Sequence, residues 1–562
     1  MCGIFFVKKE IDQEITQQIE TDTKIETDSK LENNNNNNQN NNSIDHYQKV
    51  FNEFNKGQGR GPDDTKFLDL FNYYMGFHRL SINGLDSISN QPFIKNNIYL
   101  ICNGEIYNYK ELYSHIGIKP ETNSDCEIIL DLYQLFPVEY FINLLDGVFS
   151  FIIYNARKNE IVVGRDPFGV RPLFCDSNYD YFSSELKQIC NLTTEPIGQF
   201  PPGHYLIKSN SITNKYDNLV RYHNLNQYYL PQCSQYKNFN DERNFYKSMI
   251  RGTLINAVKK RLMTDRPIAC LLSGGLDSSL ITSIVQFLRT KTVNNLPKLE
   301  TFSIGLEGST DLVYAKKVAR YLDTNHTEIL VTEDDFFNAI PTVIEKIESY
   351  DTTTVRASVG NYLVAKYISE HSEAKVIFNG DGADELTGGY LYVQRAPSTL
   401  LFDYEVKHLL NNIHKFDVLR SDRSISSCGL EPRTPFLDKT FVNMYLSIPI
   451  NYRRQTNEIE KKLLRDAFVE FLPSEVLYRK KEAFSDGVSG TERSWFQIIA
   501  EKLDNINIPN FKYNGSYLTP KTKEQMYYRF LFEKFYPNCE KIIPYFWMPK
   551  WSNTTDPSAR TL

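Results

Sequence analysis

Two stretches hold residue types that could do chemistry at their spacing. The first is Cys270 to Ser279, CLLSGGLDSS, where an apolar run ends in Ser-Gly-Gly and passes straight into a helical pattern. Gly274 and Gly275 let backbone approach a ligand closely. The helix start beyond them offers unpaired N–H groups and a positive dipole end, which favour phosphate oxygens. Ser273, Ser278 and Ser279 add hydroxyl donors, and Asp277 adds a carboxylate. A Walker loop is excluded, because no lysine follows the second glycine. A plain glycine turn would explain the glycines but not the serines and the aspartate. A second loop, NGDGADELTGGY from Asn379, sets Asp381, Asp384 and Glu385 between glycines after the strand-like KVIF. Ligands of open α/β sheets bind at the C-terminal ends of strands, so the two loops read as one site for a polyphosphate and its Mg²⁺. Arg356 in TTTVRAS and Lys481 in RKKEAFSDG are candidate cations for it.

The second stretch is the opening MCGIFF. Removal of Met1 would give Cys2 a thiol and an α-amine in one residue, with ordinary pKa values of about 8.5 and about 7.7–8.0. That combination is a nucleophile carrying its own base. A small residue ahead of a strand is the ordinary alternative, and the dipeptide alone does not choose between them.

The elements that must hold these residues fall into two halves. A chain of 562 residues is too long for one core. Short β-rich runs, IYLICNG, GVFSFIIY and EIVVGRD, with a helical DCEIILDLYQLF, predict an α+β domain of layered sheets over residues 2–205. A polar stretch over 206–241 reads as a linker. From 242 to 562, strands PIACLL, LETFSIGL and KVIFNG alternate with helices DSSLITSIVQFL and DLVYAKKVARYL, which predicts βαβ units, a parallel sheet and extra helices. Residues 10–42, charged and then almost pure asparagine, carry too little apolar surface to order themselves and are expected to be a disordered, dispensable insertion.

Net charge is −6 with no basic stripe, which argues against nucleic acid as partner. Nine cysteines without a CxxC pair are expected as free thiols in a reducing compartment. No signal-peptide pattern and no apolar run near 18 residues is present, so a cytosolic protein without a membrane partner is expected.

SGGLDSS resembles the PP-loop signature of ATP pyrophosphatases, which cleave ATP between the α and β phosphates. SGGLDSS, TFSIGLEGSTDL, YDTTTVRAS, GDGADELTGGYLY, EPRTPFLD, RKKEAFSDGV and DPSARTL also occur in the order and approximate spacing found in glutamine-hydrolysing asparagine synthetases. The chain resembles that family from end to end, apart from the asparagine-rich insertion. The resemblance implies an αββα N-terminal-nucleophile (Ntn) hydrolase domain and an α/β ATP-pyrophosphatase domain. It implies small-molecule substrates aspartate, glutamine and ATP, a β-aspartyl-AMP intermediate, Mg²⁺, ammonia passed between two sites, and a homodimer. In the ATP site it assigns Leu271, Leu272, Ser273, Gly274, Gly275, Asp277, Ser278, Ile304, Asn379 and Gly380 to the nucleotide, Asp277 and Asp384 to the metal, and catalytic roles to Asp381, Arg356 and Lys481. In the amidase site it assigns Cys2 as nucleophile, with Asn103 and Gly104 of CNGEIYN as oxyanion donors. Glutamine is expected against Arg79, Leu80, Ser81, Ile82, Asn103, Gly104, Glu105 and Asp125. Arg433 of EPRTPFLD is a candidate for the ammonia passage.

Three positions depart from the family pattern: Asp381 stands where glutamate is common, Asn379 where serine is, and Gly59 where histidine precedes RGPD. β-Lactam synthetases share the two-domain plan but lack the working nucleophile, which Cys2 with its supporting residues argues against. Phosphoribosyl-type amidotransferases share only the first domain. A degenerate scaffold should have lost PP-loop or acidic-loop charges, which are intact here.

Overall fold

The computed structural model describes residues 1–9, 36–210, 215–225, 239–292, 296–454, 458–481, 487–489, 493–509 and 517–558. Its first half contains strands β1 (Gly3–Lys8), β2 (Asp64–Asp69), β3 (Tyr73–Arg79), β4 (Phe93–Lys95), β5 (Ile98–Ile106), β6 (Gly147–Asn155), β7 (Glu160–Arg165), β8 (Phe174–Asp176), β9 (Tyr181–Ser183), β10 (Ile197–Gln199), β11 (His204–Asn210) and β12 (Lys215–Arg221). They form two antiparallel sheets, ordered β10-β8-β9-β1-β3-β2 and β12-β11-β7-β6-β5-β4. The two-residue period of a strand decides which side chains meet. On β1, Ile4 and Phe6 face the second sheet and pack with Ile101, Ile152 and Val163. Phe5 and Val7 point the other way, onto Val50 and Phe54 of the helix Asn36–Asn55. The outer face of the second sheet, through Leu100, Phe149 and Phe151, is covered by Ile128, Leu132 and Phe141 of the helices Ile128–Leu135 and Val138–Leu144.

Two expectations change here. Of the stretch 10–42, residues 10–35 lie outside the described residues, but 36–42 form the first turns of the helix Asn36–Asn55. Its far end is anchored by Val50 and Phe54, and extending an existing helix costs far less than starting one. The expected linker 206–241 also begins too early. β11 and β12 are a hairpin paired in register from His204↔Arg221 to Asn210↔Lys215, and β11 extends the second sheet beside β7. The second sheet therefore continues into the expected linker as far as Arg221.

The second half contains β13 (Ile268–Leu271), β14 (Glu300–Gly305), β15 (Asn325–Leu330), β16 (Val376–Phe378) and β17 (Glu431–Arg433), all parallel, in the order β15-β14-β13-β16-β17. Helices Leu276–Thr292 and Thr310–Leu322 make the crossovers from β13 to β14 and from β14 to β15. The next strand in the chain, β16, lies on the other side of β13. The order thus reverses between β13 and β16, and such a switch point opens the crevice where α/β sheets bind ligands. The halves share apolar cores: Leu80, Ile82 and Val148 pack with Leu254, Leu272 and Phe436.

Candidate functional site

The loops after β13 and β16 meet at that switch point. In the first, Ser273 Oγ and Ser278 Oγ lie 2.9 Å apart, and Ser278 Oγ accepts from the Ser273 N–H at 3.2 Å. Gly274 has φ +72°, and a Cβ there would lie 2.4 Å from the Ala315 nitrogen. A Cβ on Gly380 would lie 2.7 Å from the Ser278 nitrogen. Glycine at 380 is therefore what lets the acidic loop touch the PP-loop. Leu271, Leu272, Ser273, Gly275, Asp277, Ser278, Ile304, Asn379, Gly380, Asp381 and Asp384 line one cleft, whose walls also include Thr353 and Trp547. Gly274 shapes the loop from behind.

Asp277 and Asp384 come together through two lysines. Lys461 Nζ is 2.5 Å from Asp277 Oδ2 and 2.6 Å from Asp384 Oδ1, and Lys481 Nζ is 2.5 Å from Asp384 Oδ2. Against the cost of burial, these lysines hold the Asp384 carboxyl far below its usual range, and Asp384 and Asp277 raise Lys481. Asp277 Oδ1 is buried with no hydrogen-bond partner. Two adjacent carboxylates beside a phosphate loop, one with an oxygen to spare, fit Mg²⁺, which prefers one or two carboxylates plus substrate phosphates. Lys461 was not singled out from sequence. It adopts φ +58°, rare for a side-chain-bearing residue, at the start of the helix Lys462–Ala467, where no local motif marks it.

Arg356, expected as a catalytic cation, is not among the residues lining this cleft. Its guanidinium is saturated by Glu524 (2.8 and 2.6 Å) and Asp556 (both bonds 2.8 Å), which tie the helix Thr352–His371 to the C-terminal segment. That segment reaches the cleft instead through Trp547, whose N–H bonds Asp351 Oδ1 at 2.8 Å.

The N-terminal site assembles around Cys2 at the head of β1. Cys2 Sγ donates to the Leu80 carbonyl at 3.6 Å. Burial pushes the thiol up to about 11. The α-amine of Met1 is pushed down to about 6, first by burial. Asn103 is fully buried, yet neither its Oδ1 nor its Nδ2 has a partner. A fully buried amide costs stability unless something binds it. Beside it, a Cβ on Gly104 would press to 2.5 Å from the Val148 carbonyl.

Glu105 and Asp125 flank Asn83, whose Nδ2 donates to Glu105 Oε2 at 2.5 Å and to Asp125 Oδ1 at 3.4 Å. Burial raises Asp125 to about 6 and Glu105 well above its usual range, Glu105 further because Asp125 lies beside it. Glu105 already faces Arg433 Nη2 at 3.4 Å, so Asp125 is the buried acid better suited to an added ammonium group. Arg79 donates to the carbonyls of Asp86 (3.0 Å), Asn83 (3.3 Å) and Gly84, so its fork orders the loop 83–90. The Ser81 N–H reaches Asp63 Oδ2 within the first domain (2.8 Å), while the Ser81 carbonyl accepts from Arg266 Nε (2.9 Å) and the Ile82 carbonyl from the Asp265 N–H (2.9 Å), which tie this stretch to the second domain.

Arg60 of RGPD binds the Cys2 carbonyl through Nε at 3.1 Å and Asp422 Oδ2 of the second domain through Nη1 at 2.9 Å. Gly59 is exposed, and a Cβ there would rest 3.4 Å from the Ser427 carbonyl. A side chain at 59 would thus lie on the domain boundary. Arg433 spans the two sites. Its carbonyl accepts from the Asn379 N–H at 3.1 Å in the cleft, and its Nη2 lies 3.4 Å from Glu105 Oε2 in the N-terminal site.

An N-terminal cysteine site built on paired β-sheets, joined to a PP-loop cleft on a parallel sheet, defines the class of two-site, ATP-using amidotransferases. The family model described as Asparagine synthase matches residues 249–409 and 400–554, and the one described as Glutamine amidotransferase domain matches 35–217. "Asparagine synthetase [glutamine-hydrolyzing]" of Homo sapiens is 42% identical over 531 residues, covering 90% of this chain and 94% of its own. The protein of that name from Cricetulus griseus is 43% identical over 532 residues with the same coverage, and that from Gallus gallus 41% over 529. The chain belongs to the glutamine-hydrolysing asparagine synthetase family.

Proposed function

We propose that the protein makes asparagine from aspartate, ATP and glutamine, at two sites joined through the domain boundary. The observation that carries this reading is Arg433, which bonds the cleft with its backbone and the N-terminal site with its side chain. Cys2, freed of Met1, attacks the glutamine amide. Its own amine takes the thiol proton, and Asn103 with the Gly104 N–H binds the oxyanion. Arg79 orders the carboxylate end of the pocket, and Asp125 with Glu105 takes the α-ammonium. The αββα sandwich of Ntn hydrolases is the arrangement that the sheet contacts support.

In the cleft, the aspartate β-carboxylate attacks the α-phosphorus of ATP to give β-aspartyl-AMP and pyrophosphate, and ammonia then displaces AMP. Ser273, Gly275 and Ser278 cradle the leaving pyrophosphate, with Lys461 and Lys481 as fixed cations. Asp277 and Asp384 would hold Mg²⁺, which supplies neutralising charge on the phosphates. Ammonia let out into neutral water would mostly protonate, so a closed route past Arg433 keeps it nucleophilic. Eight cysteines among the described residues are unpaired, in keeping with the cytosolic location and small-molecule partners proposed.

The test is product analysis with aspartate and Mg-ATP, supplied with glutamine or with ammonium. Asparagine, AMP and pyrophosphate from both nitrogen sources are expected; pyrophosphate without asparagine, or neither, overturns the reading. Replacing Arg433 with Met should waste ammonia, so glutamate produced per asparagine rises well above one, and should also lower stability and glutaminase rate because buried Glu431 and Glu105 lose their cation. The N-terminal site adds a pH signature. Asp125 must be ionised to hold the ammonium, and its carboxyl sits at about 6. The kcat/KM for glutamine should therefore fall as pH drops below that value, more steeply than about tenfold per unit where the N-terminal amine protonates as well, and Asp125→Asn should lower the plateau and leave a single-proton limb of about tenfold per unit from the amine.

A further inference from the structure

The N-terminal site is not held by its own domain alone. Arg60 donates through Nε to the Cys2 carbonyl at 3.1 Å. Its other end lies on the helix Asp417–Ser426 of the second domain, with Nη1 on Asp422 Oδ2 (2.9 Å) and Ser426 Oγ (2.8 Å) and Nη2 on Asp422 Oδ1 (3.4 Å). Arg60 and Asp422 are both buried. A second carboxylate stands beside them. Glu185 of the first domain lies 3.7 Å from Arg60 Nη1, and its Oε1 is buried without a hydrogen-bond partner. Arg60 thus has two carboxylates within reach, and Asp422 is the one it bonds. That choice fixes where Nε points, and with it the backbone of the nucleophile's own residue.

Another strut reaches the glutamine pocket. Asp265 lies on the loop between the helix Phe239–Lys260 and β13. Its Oδ2 accepts from the Gly84 N–H at 2.8 Å, and its own N–H returns to the Ile82 carbonyl at 2.9 Å. Asp265 therefore clasps the backbone on both sides of Asn83. The Asn83 amide bonds Glu105 and Asp125, and the Gly84 carbonyl accepts from Arg79. The groups expected at the ammonium and carboxylate ends of glutamine are thus joined to one loop, and that loop is clasped from outside the domain.

We propose that Asp422 and Asp265 are positioning residues of the glutaminase half-reaction, supplied by the second domain. Asp422 acts through Arg60 on the nucleophile, and Asp265 acts through residues 82–84 on the glutamine pocket. The proposal rests on the glutaminase role given to Cys2 above and adds what sets its geometry. The two struts hold different things, so their loss should change different things. Without the Asp422 charge, Arg60 turns to Glu185 and withdraws Nε from the Cys2 carbonyl. A shift of about 1 Å at a reacting group costs up to about 10²-fold in rate. Without the Asp265 carboxylate, the loop that carries Asn83 loosens while Cys2 stays in place.

The test is rapid-quench measurement of glutamyl-enzyme formation in the full-length protein. It separates the rate at saturating glutamine from the concentration that half-saturates it. Asp422→Asn should lower the saturated rate by about 30-fold or more, with half-saturation within about twofold of wild type. Asp265→Ala should do the reverse, raising half-saturation about tenfold at a rate within about twofold. Asp265→Asn keeps an acceptor oxygen and should restore it. Arg60→Met should slow the reaction as Asp422→Asn does, and the double variant should lose no more than the worse single one. Both aspartate variants should keep ammonium-driven synthesis within about threefold, which certifies fold and cleft. Losses that multiply in the double variant would show that Asp422 does not act through Arg60, and overturn its role. Unchanged kinetics, equal changes in rate and half-saturation, or a loss shared with ammonium-driven synthesis would reduce the contacts to domain packing and overturn the proposal. A wild type that forms no glutamyl-enzyme would be a failure of the function itself, and is read first.

Discussion

Cys2→Ala should lose glutamine-driven asparagine synthesis by about 10³-fold or more, and keep ammonium-driven synthesis within about twofold. The thiol is the one group at this site able to take the glutamyl carbon, and every support around it serves that attack. Sγ is held on the Leu80 carbonyl, and the Asn103 amide is buried with both polar atoms unpaired. Burial raises the thiol to about 11, so the thiol needs a base placed at the sulfur to become a nucleophile, and removal of Met1 provides one in the α-amine of Cys2 itself. A chain that keeps Met1 puts its free amine one residue away from the sulfur. It should therefore behave like Cys2→Ala, and mass spectrometry of the N-terminus beside the two rates checks this. Equal loss with ammonium would show that Cys2 supports the fold or the cleft, and would remove it as nucleophile.

What could be read from the residues was whatever rests on local geometry. Ser-Gly-Gly before a helix needs no distant partner to bind phosphate, so the PP-loop stood where the sequence placed it. The alternation from β13 to β16 likewise foretold the parallel sheet. Arg356 shows the limit. Its type suited a phosphate, but its direction is set by Glu524 and Asp556, 168 and 200 residues further along, and nothing near TTTVRAS announces them. Lys461 failed in the opposite sense. It sits in EIEKKLLRD among ordinary surface-type residues, and only the fold turns its backbone to φ +58° and its Nζ onto two carboxylates. Asp417 and Arg420 lie one turn apart on the helix Asp417–Ser426. No motif in the sequence marks them, and only the fold brings Asp381 within 3.2 Å of Arg420. The hairpin β11–β12 was hidden by its polar residues, because an outlying strand has fewer faces to bury.

Asp384→Asn should stop synthesis from both nitrogen sources while sparing glutaminase activity. The carboxylate bonds both lysines of the quartet, Lys461 at 2.6 Å and Lys481 at 2.5 Å, and is one of two suited to Mg²⁺. Losing about 4 kcal/mol of charge stabilisation on the reacting phosphates is about a 10³-fold loss in rate. The substitution also leaves a partly buried lysine short of its partner, since Asp277 is 4.0 Å from Lys481. Breaking a fully buried pair costs about 3–5 kcal/mol, and less here because Lys481 keeps 19% exposure. Two effects are thus mixed in the single variant, and a second substitution separates them. Asp384→Asn with Lys461→Met restores one anion to one cation, Asp277 to Lys481, and should recover thermal stability. Synthesis should stay lost, because the restored balance brings back neither the carboxylate nor the lysine that face the phosphates. If the double variant recovers synthesis along with stability, the quartet holds the fold and the phosphates are neutralised elsewhere. If glutaminase activity disappears with Asp384→Asn alone, the damage has crossed the domain boundary at Arg433 and the two sites share more than a passage.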